Sequence, residues 1–112
     1  MFAYATKAAG VVIDGYITDI GEIRLLNMPV FYRQVSVITT RLLGIESEVN
    51  VLISVAGVTI LPGDLILGDE NGVMVVPRDQ INELQRIAAE KEAGDPATRA
   101  RLDQGEALKD LR

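Results

Sequence analysis

Gly10-Val-Val-Ile-Asp-Gly-Tyr-Ile-Thr-Asp-Ile-Gly-Glu22 is the stretch that decides the fold of this chain. It begins with a run of valine and isoleucine that is typical of a buried strand. The Asp14-Gly15 dipeptide favours a turn, so the strand is predicted to span residues 10–15. The helical spacing of the isoleucines and leucines that follow predicts a helix over residues 19–27, which Pro29 prevents from continuing.

Asp19 stands where the predicted strand and turn meet the predicted helix, and its position allows two interpretations. In the first, Thr18 or Asp19 caps the helix, with Glu22 three positions after Asp19 as in a capping box. In the second, Asp19 is a carboxylate presented at the end of a buried strand, where it can hold a metal ion or a substrate. The spacing alone leaves both interpretations open.

The composition limits the chemistry that this chain can perform. It has 112 residues, of which 48% are hydrophobic, so we expect one domain over residues 1–112 with a modest core. It has no cysteine and no histidine, which excludes disulfides, thiolate catalysis and imidazole ligands within this sequence. Any metal must therefore be held by oxygen atoms, which favours Mg²⁺, Mn²⁺ or Ca²⁺.

Charge and hydropathy argue against two kinds of partner, a nucleic acid and a membrane. The net charge is −5, and lysine and arginine nowhere cluster among aromatic residues, so no nucleic-acid partner is expected. The apolar runs are too short to span a membrane. No signal-peptide pattern is present in the sequence, and we expect a cytoplasmic protein without a membrane partner.

Alternating and helical patterns predict the remaining elements. A second strand over residues 29–34, after the predicted helix, implies a parallel crossover, and closely spaced short strands then indicate a β-meander or a small barrel-like layer. The predicted strands of this layer cover residues 48–56, 58–61, 65–67 and 73–76, with turns at Pro62-Gly63-Asp64 and at Gly68 to Gly72. Helices are predicted over residues 2–9, 78–94 and 97–112, and a long loop over residues 35–47.

Three stretches together resemble a known family. They are Gly10 to Ile23, then Met28-Pro-Val-Phe31, then Glu48 to Pro77 with its Pro-Gly-Asp and Gly-Asp-Glu-Asn-Gly-Val-Met-Val-Val-Pro segments. In order and spacing they are similar to the family of regulator of ribonuclease activity A and the class II 4-hydroxy-4-methyl-2-oxoglutarate aldolases. The resemblance implies an α/β fold, a swivelling β/β/α domain with a mixed sheet, a small barrel-like β layer and flanking helices. It also implies a homo-oligomer, a trimer or a hexamer, in which the C-terminal helices pack on a neighbouring subunit.

The resemblance also implies an activity and a site. Aldolases of this family cleave 4-hydroxy-2-oxo acids, and many decarboxylate oxaloacetate, with Mg²⁺ or Mn²⁺ as cofactor. Position by position, Asp19 matches the metal-holding aspartate, Glu22 the acidic residue after it, and Asp14 and Gly15 the turn beside the substrate. Thr18 and Asp19 are thus the predicted catalytic residues, Asp14, Gly15 and Thr18 the substrate-binding residues, and Asp19 and Glu22 the metal ligands. A Lewis-acid metal beside a cation would stabilise the charge of a developing enolate.

Two departures from the family pattern support an alternative function. Thr18 stands where the family has an arginine, and losing such a contact in a desolvated site lowers rates by about 10²–10³-fold. Family members also carry, before the equivalent of Phe2, a stretch with a glycine-containing loop that binds the substrate carboxylate, so we expect a chain truncated at its N-terminus relative to the family. The alternative is a non-catalytic, protein-binding regulator of the ribonuclease E inhibitor type. A third interpretation is a family-fold oligomer in which Asp19 and Glu22 only cap a helix.

Two further features of the sequence each suggest a weaker hypothesis, one about Arg33 and one about a Ca²⁺ loop. Arg33 follows an apolar strand and either points toward the site or lies exposed at the strand end, the second being commoner. Asp69, Asn71 and Gly72 resemble part of a Ca²⁺ loop, but the acidic residue that closes such a loop is missing, so a hairpin turn is the preferred interpretation.

Overall fold

The structure of the protein is a computed structural model that describes residues 2–39, 44 and 46–105. The chain divides between Val76 and Pro77 into two compact units, which are described separately below. In chain order, the elements of the N-terminal unit are α1 (Phe2–Ala5), β1 (Val11–Ile17), α2 (Ile20–Leu25), β2 (Val30–Val35), β3 (Ile53–Val55), β4 (Val58–Ile60), β5 (Leu65–Asp69) and β6 (Gly72–Val76). The C-terminal unit consists of a 3₁₀ turn (Arg78–Gln80) and helix α3 (Ile81–Asp103).

Strands β1 and β2 form a parallel pair connected through α2, as the sequence predicts. The predicted turn at Asp14-Gly15 is wrong, because both residues lie inside β1. The pairing register shifts between Ile13 and Tyr16, so Asp14-Gly15 forms an irregularity in a continuous strand. A bulge of this kind re-aims a side chain without ending the strand, and glycine is a common residue at such a position.

The remaining strands of the N-terminal unit form two antiparallel hairpins, β3–β4 and β5–β6. The predicted turn before β5 is present, where the Asp64 carboxylate accepts from the Leu61 N–H at 2.9 Å and Gly63 has φ +97°. The predicted strand over residues 48–56 is wrong for most of its length, because only Ile53–Val55 is a strand. Its sole partner among the described residues is the three-residue β4, and a strand cannot extend beyond the ladder that pairs with it.

The predicted N-terminal helix is much shorter than the span 2–9, since α1 ends at Ala5. Lys7, with φ +58°, adopts a left-handed conformation that does not continue a helix. Of the predicted loop over residues 35–47, Val35 is the last residue of β2, and the other described residues are irregular. Residues 40–43 and 45 lie outside the described residues.

Burial in the N-terminal unit is sparse. Among the described residues only Ile17 and Val76 are buried hydrophobic side chains. An open cleft of about 550 Å³ runs across the three strand pairs, and its lining is mostly apolar. Lining residues from successive strands include Val12, Phe31, Val55, Ile66 and Val75. Apolar surface of this extent in a soluble protein usually marks a place where another polypeptide or ligand packs.

The contact between Phe31 and Gly68 joins β2 to β5. A Cβ atom added at Gly68 would lie 2.5 Å from Cζ of the Phe31 ring, which is closer than any real contact. We therefore expect Gly68→Ala to lower the free energy of unfolding by about 1–3 kcal/mol, as overpacked substitutions do. The matched control is Gly21→Ala in α2, where nothing lies within 4 Å of the added atom and alanine favours the helix. Urea unfolding of both variants measures the difference, and equal midpoints would contradict the contact.

The C-terminal unit contains one helix where the sequence predicts two. The predicted break at Gly94-Asp95-Pro96 is wrong, because α3 runs without interruption from Ile81 to Asp103 with Pro96 inside it. A proline removes a single hydrogen bond from the helix ladder, and the Thr98 hydroxyl donates to the Gly94 carbonyl oxygen at 3.3 Å close to that point. The predicted helix extends to residue 112, and residues 106–112 lie outside the described part of the chain.

Helix α3 is polar on most of its surface, with none of its described residues buried. Arg86 binds Glu83 at 2.8 Å and Glu90 at 2.6 Å, so one guanidinium connects two turns of the helix. Such exposed pairs typically contribute a few tenths of a kcal/mol each. No described helix combines the length and the apolar character that a membrane crossing requires.

Candidate functional site

The predicted site residues Thr18 and Asp19 lie where β1 ends and α2 begins. Ser36 lies at the corresponding end of β2, and its N–H donates to the Ile17 carbonyl oxygen at 2.8 Å. The carboxyl ends of the two parallel strands are thereby held side by side. Ligands of open α/β sheets bind outside the carboxyl ends of their strands, which makes this edge the candidate site.

The conformation of Asp19 tests the capping interpretation. Asp19 is at the N-cap position of α2, but its side chain makes no capping hydrogen bond, so the capping-box interpretation is wrong. Its backbone carbonyl oxygen accepts from the N–H groups of Glu22 at 3.0 Å and Ile23 at 3.1 Å. The residue adopts a left-handed conformation with φ 56° and ψ 40°, which is uncommon outside glycine, asparagine and aspartate.

This conformation leaves the Asp19 carboxylate available. The side chain is not used by the helix, and the residue is exposed. One carboxylate oxygen, Oδ2, accepts a hydrogen bond from the Thr18 hydroxyl at 3.2 Å. The structure thus brings the two predicted catalytic residues together. Strained conformations of this kind cluster at functional sites, where the surrounding fold holds them.

Asp14, on β1, binds both β2 and the turn between β3 and β4. Its Oδ1 accepts a hydrogen bond from Nε of Arg33 on β2, and its Oδ2 accepts from the Ala56 N–H at the β3–β4 turn at 2.8 Å. The hydrogen bond from Arg33, assisted by its charge, and the hydrogen bond from Ala56 lower the pKa of the Asp14 carboxyl from its ordinary value. The carboxylate that the sequence predicts to contact substrate therefore has an internal role, which is to tie β2 and the β3–β4 hairpin to β1.

The lowered pKa of Asp14 predicts a dependence of stability on pH. Its carboxyl binds a proton less readily in the folded chain than in the unfolded chain, where the pKa is near 3.8. The stabilisation from the Arg33 and Ala56 contacts is therefore present above pH 3.8 and is lost as the pH falls through the lower folded pKa.

The variant Asp14→Asn tests this dependence. Thermal unfolding followed by circular dichroism between about pH 2 and pH 7 should show a smaller pH effect in the variant than in the parent chain. Asp79→Asn, in the C-terminal unit, is the control and should retain the parental pH profile. An Asp14→Asn profile parallel to that of the parent would contradict the account.

The donor set at the strand ends fits a hydrated Mg²⁺ or Mn²⁺ better than a closed cage of protein ligands. The described residues contain no group of three or more acidic side chains arranged to hold a metal. Mg²⁺ commonly uses one or two carboxylates and keeps several waters. Asp19 and Glu22, which is one helical turn further on, are both exposed and would supply such a set. The described contacts join these two residues through their backbones, so the role of Glu22 as a ligand stays a prediction.

A hydroxyl-rich cavity of about 620 Å³ lies at the same edge of the sheet. Tyr16, Thr18, Ser36, Ile38 and Thr39 line it. Ser36 and Thr39 are not expected at the site from the sequence, because they fall in a segment without a clear period. The predicted parallel pairing of the two strands could have indicated them, because it places the residues after the second strand at the same edge of the sheet as Thr18.

The weaker candidates have clear places in the structure. The Asp69 carboxylate accepts from the Asn71 N–H at 2.8 Å and from its side-chain amide at 3.3 Å, which is the hairpin turn that the sequence favours over a Ca²⁺ loop. Gly15 lies in the irregularity of β1. Arg33 is exposed, as the commoner interpretation predicts, but it is also paired with Asp14.

Comparison with known proteins gives a family and three relatives. The RraA-like family model, described as Aldolase/RraA, matches residues 1–75. A protein of Halalkalibacterium halodurans described as "Putative 4-hydroxy-4-methyl-2-oxoglutarate aldolase" is 44% identical over 89 residues, which are 80% of this chain and 42% of that protein. An uncharacterized protein of Methanocaldococcus jannaschii is 34% identical over 102 residues, covering 91% of this chain and 49% of that protein.

A solved structure of similar fold confirms the predicted α/β fold class. It is the crystal structure of an uncharacterized protein from Pseudomonas syringae pv. tomato, with a TM-score of 0.80 and 30% sequence identity. The match covers 99% of this chain and 56% of the solved chain. This chain thus spans about half the length of the relatives it matches.

Proposed function

Since the chain belongs to the RraA-like family, we propose that it is a divalent-metal-dependent lyase that acts on 2-oxo acids. The reaction type is that of a 4-hydroxy-2-oxo acid aldolase or an oxaloacetate decarboxylase. The relative described as a putative 4-hydroxy-4-methyl-2-oxoglutarate aldolase supports the aldolase part of this proposal. The metal and the decarboxylase activity are inferred from the donor set and from the resemblance.

One observation carries the proposal, which is the orientation of Asp19. Its backbone closes the start of α2 while its carboxylate stays out of the capping interaction and accepts from Thr18. A residue whose only role was to cap the helix would use its side chain for that purpose. The conformation of Asp19 instead presents an anionic oxygen pair to the edge of the sheet where α/β proteins bind ligands.

The proposed roles follow from the chemistry of each side chain. Asp19, with Glu22, would hold Mg²⁺ or Mn²⁺, which when bound would act as a Lewis acid toward the carbonyl group of the substrate. The Thr18 hydroxyl donates to Asp19 and so fixes the direction of its carboxylate. The hydroxyl groups that line the cavity would solvate the polar atoms of a small acid.

Decarboxylation of oxaloacetate tests the proposal. The purified chain should release pyruvate in the presence of Mg²⁺ or Mn²⁺ faster than the same concentration of metal alone, because metal ions catalyse this reaction slowly by themselves. Addition of EDTA should remove the excess rate. A rate equal to that of metal alone for both ions would rule out this activity.

The apolar cleft supports a second candidate, a non-catalytic regulator that binds a protein such as ribonuclease E. The cleft of about 550 Å³ exposes apolar side chains from all three strand pairs, as a protein-binding groove does. Cleavage of an RNA substrate by purified ribonuclease E should then slow when the chain is added. Ile66→Glu, which places a charge in the cleft, should abolish the inhibition. An unchanged cleavage rate with the parent chain would remove this candidate.

We also propose that the chain forms a homo-oligomer, a trimer or a hexamer. The large number of exposed hydrophobic side chains in the N-terminal unit, including Leu25 and Leu52, supports contacts between copies. Light scattering at micromolar concentration measures the assembly, and a monomeric mass would contradict it.

A further inference from the structure

We propose that the apolar cleft of the N-terminal unit is the docking surface for a completing segment, the stretch of polypeptide that the relatives have and this chain does not match. When bound, the completing segment would close a hydrophobic core of which the described residues form one side. The inference goes beyond the proposed function, because no residue that lines the cleft also lines the hydroxyl-rich cavity.

The composition of the cleft indicates what kind of partner it fits. In the described part of the chain, every lining residue is glycine, alanine, proline, valine, isoleucine or phenylalanine. Surfaces that bind partners reversibly are only a little more than half apolar, whereas permanent interfaces resemble a domain core cut in half. The cleft therefore fits a permanently bound polypeptide that presents apolar side chains better than it fits a charged ligand.

The strands around the cleft have the exposure of an open core. Ile53, Val58 and Ile66 line the cleft on three different strands and are 48%, 49% and 38% exposed. No strand ladder joins the three strand pairs in the described residues, so each pair keeps edges with unpaired backbone groups. Such edges readily accept an added strand. A completing segment can therefore bind in two ways at once, by backbone pairing and by burial of the lining side chains.

The solved structure from Pseudomonas syringae supports this choice of partner. It matches 99% of this chain with a TM-score of 0.80, but the match covers only 56% of the solved chain. The same arrangement of strands thus occurs within a longer chain, whose remaining part has no counterpart in the match. The relative from Halalkalibacterium halodurans is similar in this respect, since the match covers 42% of it. The unmatched part of such a chain is long enough to cover the cleft.

A second copy of this chain suits the cleft less well. Two copies related by a two-fold axis would bring the same concave lining together. Two facing clefts would enclose empty space, and unfilled space loses the dispersion contacts that stabilise a core. The proposed homo-oligomer would therefore use surfaces outside the cleft, such as the exposed Leu25.

Binding of a completing segment to the full chain tests the inference. The probe is the stretch that precedes the matched residues in the Halalkalibacterium halodurans relative, produced as a separate polypeptide with a fluorescent label. Titration followed by fluorescence anisotropy, without metal or 2-oxo acid, should show saturable binding to the parent chain. Ile66→Glu should raise the dissociation constant by about 30-fold or more, because the substitution would bury a charge at the centre of the interface.

Three controls separate docking in the cleft from other effects. Val58→Glu, on the other hairpin, should weaken binding in the same way. Leu84→Glu places the same charge on α3, where the side chain is 41% exposed, and should bind the probe as the parent does. A probe of scrambled sequence should not bind. Because all three positions are exposed in the free chain, circular dichroism should show that the variants are folded.

Copurification is the second measurement, in which the parent chain and each variant are co-expressed with the tagged probe. The parent chain and Leu84→Glu should copurify with the probe, and the two cleft variants should not. Failure of the parent chain to bind in both measurements would overturn the inference, as would equal binding by the parent and both cleft variants. If the chain does not bind the probe and Ile66→Glu converts an oligomer to a monomer, the cleft belongs to a second copy and the inference is overturned. These results do not depend on turnover, since metal and substrate are absent from the titration.

Discussion

Replacing Asp19 by asparagine is expected to reduce the metal-dependent release of pyruvate from oxaloacetate by about 100-fold or more. The substitution removes the negative charge that would hold Mg²⁺ or Mn²⁺ and keeps the size of the side chain. Asparagine adopts the left-handed conformation of position 19, with φ 56°, at least as readily as aspartate. The midpoint of thermal unfolding should therefore remain within about 2 °C of the parent value.

Two measurements test whether the lower rate of Asp19→Asn comes from the loss of the metal-holding charge. Asp79→Asn removes one negative charge from the C-terminal unit and should leave the rate unchanged. Raising the Mn²⁺ concentration should restore part of the activity of Asp19→Asn if the variant binds metal weakly. Full activity of Asp19→Asn at low metal concentration would contradict the role of Asp19 as the metal-holding residue.

Replacing Thr18 by arginine is expected to raise the rate of pyruvate release by about 10²-fold, the size of effect that one well-placed charged donor has in an active site. The Thr18 hydroxyl now supplies one donor to Asp19, whereas arginine would supply a positive charge and several donors next to the developing negative charge. Thr18 is partly exposed at the lining of an open cavity, so a longer side chain has room there.

Lysine and valine at position 18 are the matched controls for this gain. Thr18→Lys supplies the charge without the planar fork and should give a smaller increase. Thr18→Val keeps the shape of threonine, removes the hydrogen bond to Asp19, and should lower the rate below that of the parent. A Thr18→Arg chain no faster than Thr18→Val would show that position 18 does not face the reacting atoms.

The local pattern of the sequence predicts much of the fold around the site. The apolar run before Asp14, the helix after Asp19 and the strand after Pro29 together specify a strand–helix–strand unit, and β1, α2 and β2 form the expected parallel pair. The turns at Pro62-Gly63-Asp64 and at Asp69 follow from the conformational preferences of their residues. These features depend on residues that are close together in sequence, so the local sequence pattern is enough to predict them.

The errors occur where distant residues decide the conformation. Asp14-Gly15 favours a turn locally, but Arg33 and Ala56 bind the Asp14 carboxylate and the strand continues through it. Residues 48–52 alternate like a strand but have no partner strand in the described part of the chain. Neither the bonds from Arg33 and Ala56 nor the missing partner strand has a local signature in the sequence. Pro96 is a separate error, because a proline normally ends a helix but α3 continues through it.

The candidate site could also be predicted only in part, because some of its contacts join residues that are distant in sequence. Thr18 and Asp19 follow an apolar strand and are adjacent in sequence, so their pairing could be expected. The left-handed conformation that frees the Asp19 carboxylate from the helix could not, because aspartate at an N-cap ordinarily bonds the helix with its side chain. Ser36 joins the edge only through its hydrogen bond to Ile17 across the strand pair.

Exchange of the methyl protons of pyruvate for deuterium tests the central claim most directly, because exchange requires the enolate that the site is proposed to stabilise. The chain would be incubated with pyruvate and Mg²⁺ in deuterium oxide, and loss of the methyl proton signal would be followed by NMR. We expect exchange faster than with Mg²⁺ alone in the parent chain, and exchange at the rate of Mg²⁺ alone in Asp19→Asn. Exchange at the rate of Mg²⁺ alone in the parent chain would contradict this claim.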